Sequence, residues 1–154
     1  MKKFLLSGLL ALTVACGAAA AQQGEKTGSR REPDPSVLRD PLLEADSTKN
    51  LKVAQHYFKL KKAYRAAMMR AEEIIAGNPN YSRIDEAYYI AGMSHLRLAR
   101  AQGSQPPNLK PEQHRDEARI LLSRLVNEWP DSEFRKEAEK ELATVGGLIK
   151  TGSQ

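Results

Sequence analysis

From Leu51 to Pro79 the chain reads LKVAQHYFKLKKAYRAAMMRAEEIIAGNP. Leu51, Ala54 and Phe58 recur at three- and four-residue steps, and Tyr64, Ala67, Ala71 and Ile74 do the same after Lys61-Lys62. Each run puts one apolar stripe on one face of a helix. The break between them is too short for anything but a tight turn, so the two stripes must face each other. A hairpin of this size leaves apolar surface uncovered and needs a second unit stacked on it.

The order and register of these residues resemble the 34-residue tetratricopeptide repeat (TPR), which has large, small and aromatic positions on its first helix. Tyr, Ala, a bulky residue and an apolar residue follow on its second, then Pro. Gln55 replaces the usual Gly, and Ala71 a bulky ring. Helix one is predicted from Ser47 or Thr48, either able to cap it, to about Leu60. Helix two is predicted from about Ala63 to Ala76, closed by a left-handed Gly77. Ser82-Arg83-Ile84-Asp85 resembles a capping box. From Ile84 to Ala101, Ala87, Tyr88, Ala91 and Gly92 repeat the first-helix register, with His95 at the aromatic position. The polar stretch Gln102–Lys110, with Pro106-Pro107, interrupts the repeat as a surface loop, and closing such a loop costs little. The pattern resumes at Pro111, a favoured first-turn residue. Ala118, Leu122, Leu125 and Pro130 then match Ala67, Ala71, Ile74 and Pro79. Phe134, Ala138 and Leu142 mark a last helix from about Ser132 to Thr144, polar on its other faces as a solenoid cap is. The fold class is all-α, a TPR-like α-solenoid of about two helix-turn-helix repeats plus a C-terminal capping helix.

The chain begins with Met1-Lys2-Lys3 and an apolar run, Phe4 to Val14, the size of a signal-peptide core and too short to span a bilayer. Leu12-Thr13-Val14-Ala15-Cys16 resembles a bacterial lipobox, in which the Cys is lipidated and becomes the new N-terminus. Cleavage after Ala19-Ala20-Ala21 is the competing reading. The first is preferred because Cys16 is the only cysteine. Gly17, rather than Asp, follows it, which by the same resemblance implies sorting to the outer membrane with the domain facing the periplasm. The several acyl chains of such an anchor hold stably where one would not. Residues 17 to about 46 are rich in Ala, Gln, Gly, Ser, Arg and Pro, without apolar periodicity, and read as a linker from which Val37, Leu38, Leu42 and Leu43 could dock on the first repeat. The organisation is therefore a signal peptide over 1–15, a lipidated Cys16 with a disordered linker over 16–46, a TPR-like domain over 47–145 and a flexible tail over 146–154.

Removing a leader that carries Lys2 and Lys3 takes the net charge from +5 to +3, too mild to imply a nucleic-acid partner. His56, His95 and His114 fall on three different helices without the i, i+4 pairing of a helical metal site. No nucleophile elbow, phosphate loop or dinucleotide fingerprint is present. The reading is of no catalytic residue, no metal, no cofactor and no small-molecule substrate. Of Met68 and Met69, one is expected in the core.

The first helices of a TPR array line its concave face. In this register that places Lys49, Lys52, His56 and Lys59 there, with Glu86, Tyr89, Met93, Leu96 and Arg97 from the second repeat. The basic residues share one helix face. Beside an aromatic and thioether patch they suit an extended peptide bearing a carboxylate. The same stripe is also what the solvated side of an amphipathic helix shows.

Taken with the leader, Tyr64-Arg65-Ala66-Ala67, Arg70-Ala71-Glu72, the Asn-Pro and Trp-Pro helix ends and Asp85-Glu86-Ala87-Tyr88 make residues 48 to 145 resemble the BamD (YfiO-type) outer-membrane lipoproteins. That resemblance implies a non-catalytic periplasmic scaffold, anchored at Cys16, for outer-membrane protein assembly, although two repeats are fewer than the family carries. An accessory TPR protein of a peptidoglycan, division or Tol-Pal type envelope complex is the alternative. Either way the partners are envelope proteins or peptides.

Overall fold

The structure, a computed structural model, describes residues 39–150. The leader, Cys16 and the linker up to residue 38 lie outside the described residues. Five α-helices follow one another: α1 (Pro41–Gln55), α2 (Tyr64–Gly77), α3 (Ile84–Ala99), α4 (Pro111–Glu128) and α5 (Arg135–Leu142). A π-helical turn, His56–Lys61, extends α1, and a 3₁₀ turn, Ala143–Val145, extends α5. Among the described residues there is no strand. Each helix packs on the next in chain order, the arrangement of a TPR-like helical repeat fold.

The stripes read from the sequence form the core. Leu51, Ala54, Ala67, Ala71 and Ile74 from the first hairpin, and Ala87, Ala91, Ala118, Leu122 and Leu125 from the second, are essentially inaccessible. α3 is buried nearly all round, as suits the central helix of the stack. Its Gly92 lies under α4, where a Cβ would sit 2.7 Å from Cγ and Cδ2 of the fully buried Leu122. The absent side chain sets how closely α3 and α4 approach. Met68 is in the core and Met69 is exposed.

Several boundaries differ from expectation. Helix one begins at Pro41, not at Ser47, so residues 41–46 belong to the helix rather than to a linker. Asp40 caps it, accepting from the Leu42 amide at 2.8 Å, with Pro41 in the first turn. Glu44 then ties the new first turn to the start of the second repeat by accepting from the amide (3.3 Å) and hydroxyl of Ser82. Ser47 is interior and accepts from the Asn78 amide group at 3.1 Å. Leu42 and Leu43 are exposed, and Val37 and Leu38 lie outside the described residues. Ser82 and Asp85 form no capping box. Ser82 is engaged by Glu44, Asp85 accepts from Ser132 Oγ at 2.7 Å, and α3 starts without a side-chain cap. Gly77 is the last residue of α2 with ordinary φ. The left-handed residue of this hairpin is Lys62 (φ 50°).

The π turn lies where Tyr57 and Phe58, adjacent in sequence, are both half-buried. Phe58 meets Tyr64 and Tyr89 edge-on, at 5.6 and 6.3 Å between centroids. The wider turn brings both neighbours inward, which α geometry does not favour. The loop between α3 and α4 folds back over this hairpin. Ser104 donates from its amide to Lys62 O (2.9 Å) and from its hydroxyl to Lys61 O (3.1 Å), and Gln105 Oε1 accepts from the Ala66 amide (2.9 Å). Gly103 (φ 96°) makes this possible, because a Cβ there would stand 2.4 Å from Lys62 O. Residues 146–150, read as a flexible tail, run back along α4 and are hydrogen-bonded to it.

Candidate functional site

Lys49, Lys52, His56 and Lys59 are all exposed along α1 and its π extension. Lys49 pairs with Asp46 one turn earlier at 3.1 Å, both in water, a contact of little energetic weight. Among the described residues, Lys52, His56 and Lys59 form no ion pair. A π turn advances each residue by a smaller angle than an α turn, so Lys59 sits further round the axis than Lys52 and His56. The basic ridge therefore bends at its C-terminal end. Behind it, Gln55 Nε2 donates to Glu86 Oε1 of α3 at 2.5 Å, and Arg83 holds the other carboxylate oxygen. Glu86 is only 4% exposed, and these two donors satisfy a buried carboxylate.

The residues assigned to the facing surface from the second repeat are mostly elsewhere. Met93 and Leu96 are each 1% exposed, and Tyr89 is 9% exposed. The reason is α5. Phe134, at its entry, stacks on the Tyr89 ring (4.6 Å between centroids, 21° between planes), and Ala138 and Leu142 join the same core as Met93. Tyr89 is thus covered by Phe134 and by Glu137 of the capping helix. Burial, and then the Glu137 carboxylate beside it, push the Tyr89 phenol well above its ordinary pKa. Arg97 is half-buried at the end of α3, donating to Gln102 Oε1 at 3.3 Å. Of the expected site, Lys49 and Lys52 on α1 and His56 and Lys59 on its π extension are exposed. The aromatic and thioether part is interior.

One polar cluster escaped the sequence reading. α3 and α4 bring His95 and His114 together, Nδ1 to Nδ1 at 2.9 Å, and His95 Nε2 lies 3.0 Å from Glu72 Oε1 of α2. The carboxylate fixes the protons: His95 donates from Nε2, so its Nδ1 accepts from His114 Nδ1–H. His114 Nε2 is then a bare lone pair, buried without a partner. Burial, and then the neighbouring His95, hold the His114 pKa below the ordinary imidazole range. The rings are 2% and 0% exposed. A chain of three groups from three helices, closed to solvent at both rings, fixes helix register. Among the described residues, no group of three His, Cys, Asp or Glu side chains is arranged to hold a metal ion, and no helix is long and apolar enough to cross a membrane.

Comparison with known proteins bears on the whole of this helical region. No curated protein and no solved structure matches the chain. A family model described as an outer membrane lipoprotein matches residues 41–148, from the first residue of α1 to the segment that returns along α4. With its all-helical stack and the matched residues covering most of its length, the chain belongs to the YfiO family of outer membrane lipoproteins.

Proposed function

We propose that this protein is a non-catalytic scaffold on the periplasmic face of the outer membrane, anchored through lipid at Cys16, that captures envelope-assembly proteins on the α1 ridge. The observation that carries the proposal is the ridge itself: Lys52, His56 and Lys59 are exposed without an acidic partner on a helix whose opposite face is committed to the core. Family membership supplies the address and class. A carboxylate-bearing extended segment suits such a ridge, through charge-assisted bonds that need no deep pocket.

Replacing Lys52 and Lys59 together by Glu leaves the core untouched and reverses the local charge. Capture of envelope proteins by the purified double variant, assayed by pull-down, should be abolished, and capture by the unsubstituted chain should weaken as salt is raised through the screening range. Undiminished capture by the double variant would remove the ridge from the function. Cross-linking in cells, followed by identification of the partners, separates an outer-membrane assembly role from attachment to a peptidoglycan, division or Tol-Pal type complex.

A further inference from the structure

Arg119, Ser123 and Asn127 stand at four-residue steps on α4 and so share one face. Each is hydrogen-bonded to the main chain of the returning segment. Arg119 Nε donates to Gly147 O at 2.8 Å, Ser123 Oγ accepts from the Ile149 amide at 2.9 Å, and Asn127 Nδ2 donates to Ile149 O at 2.8 Å. Both main-chain groups of Ile149 are thus engaged, as a neighbouring strand would engage them, but by side chains of a helix. All three bonds address atoms that any extended peptide possesses. The resident segment also fits incompletely. Leu148 and Ile149 are each 39% exposed, Ile120 beside them is 51% exposed, and an open groove of about 320 Å³ lies between Ile120, Ser123, Asn127 and Ile149. Arg124 and Glu128 at its rim are paired with each other at 2.7 Å, so the groove offers an incoming segment no uncompensated charge. Gly146 and Gly147, both at positive φ (97° and 79°), turn the chain back, and the Gly147 amide closes α5 by donating to Leu142 O at 2.8 Å, so that residues 148–150 can leave without disturbing α5.

We propose that this face of α4 is a second binding site, for an extended segment of another polypeptide with an aliphatic residue at the position of Ile149, and that residues 148–150 are its built-in competitor. The site is separate from the α1 ridge and works by main-chain recognition instead of charge. A competitor on so short a tether acts at millimolar effective concentration. A free ligand therefore binds the closed protein weakly and the opened one well.

The probe is a fluorescein-labelled peptide, Gly-Leu-Ile-Lys-Thr, blocked at its C-terminus and titrated by fluorescence anisotropy. The full chain carrying Ile149→Asp, which expels the resident segment, should bind it at least about tenfold more tightly than the unsubstituted chain. Adding Ser123→Val and Asn127→Leu should remove that binding, whereas Lys52→Glu with Lys59→Glu should leave it intact. Failure of the charge variants in pull-downs therefore speaks only to the ridge. The proposal is overturned by an Ile149→Asp chain that binds no peptide at millimolar concentration or binds it equally without Ser123 and Asn127. It is also overturned by concentration-dependent dimers in light scattering that show the occupant to be the segment of a second copy. Should circular dichroism show the Ile149→Asp chain unfolded, the unsubstituted chain decides. Millimolar peptide must accelerate hydrogen exchange at the Ile149 amide, and unchanged exchange rejects the site.

Discussion

Gly92 is the residue on which the α3–α4 contact turns. Alanine or valine in mid-helix ordinarily gains up to about 1 kcal/mol over glycine. Here any Cβ meets Leu122, whose side chain is enclosed and has nowhere to go. Overpacking of this kind costs about 1–3 kcal/mol, so Gly92→Val should lower stability in urea unfolding despite its better helix propensity. His114 makes the opposite kind of demand, on protons rather than volume. Its pKa is lowered in the folded protein, so the unfolded chain takes up a proton first as pH falls below about 6.5. The stability that neutral His114 contributes is complete above that pH and is lost as pH drops from there toward its lower folded value. The slope is at most about 1.4 kcal/mol per pH unit. Replacing His114 by Leu should flatten the pH dependence of the urea midpoint between pH 7 and 5, and an unchanged slope would show that His114 does not titrate in this range.

At the scale of the element, α1 shows what local pattern can and cannot reveal. Its stripe from Leu51 onward was legible because burial recurs every three or four residues. Its first six residues were not, because Leu42 and Leu43 face water and contribute no periodicity. They are held by the Asp40 cap and by Glu44 reaching Ser82, 38 positions away. A chain beginning at residue 47 loses both, and should be about 1–2 kcal/mol less stable than one beginning at residue 39, the scale of a lost helix cap. The π turn was invisible for a related reason, since it follows from how Phe58 meets Tyr64 and Tyr89 on other helices. The His95–His114 contact spans a loop that separates the two rings in sequence, and nothing local announces it. On the candidate surface, the exposed part was legible as a run of cations one helix long. The misplaced part, Tyr89 and Met93, required knowing that α3 is enclosed on nearly every side and that Phe134 stacks on Tyr89. If those two residues are core, Tyr89→Leu and Met93→Leu should each reduce stability, the second by less than about 1.5 kcal/mol, while leaving pull-down of partners as strong as before.

Across the whole molecule, a stack of helical hairpins gripped only along their faces behaves as a spring, able to change its pitch by small rotations between repeats. The clasp from Ser104 and Gln105 onto Lys61, Lys62 and Ala66 removes that freedom here. It joins the connecting loop of the second hairpin to the turn of the first, so the two are fixed at their tips as well as along their flanks. The turn it grips is the one that carries Lys59. The insertion that breaks the repeat pattern is thus a brace, and under the proposed role of the basic ridge a partner would meet it at a set angle, with little orientational entropy left to lose on contact.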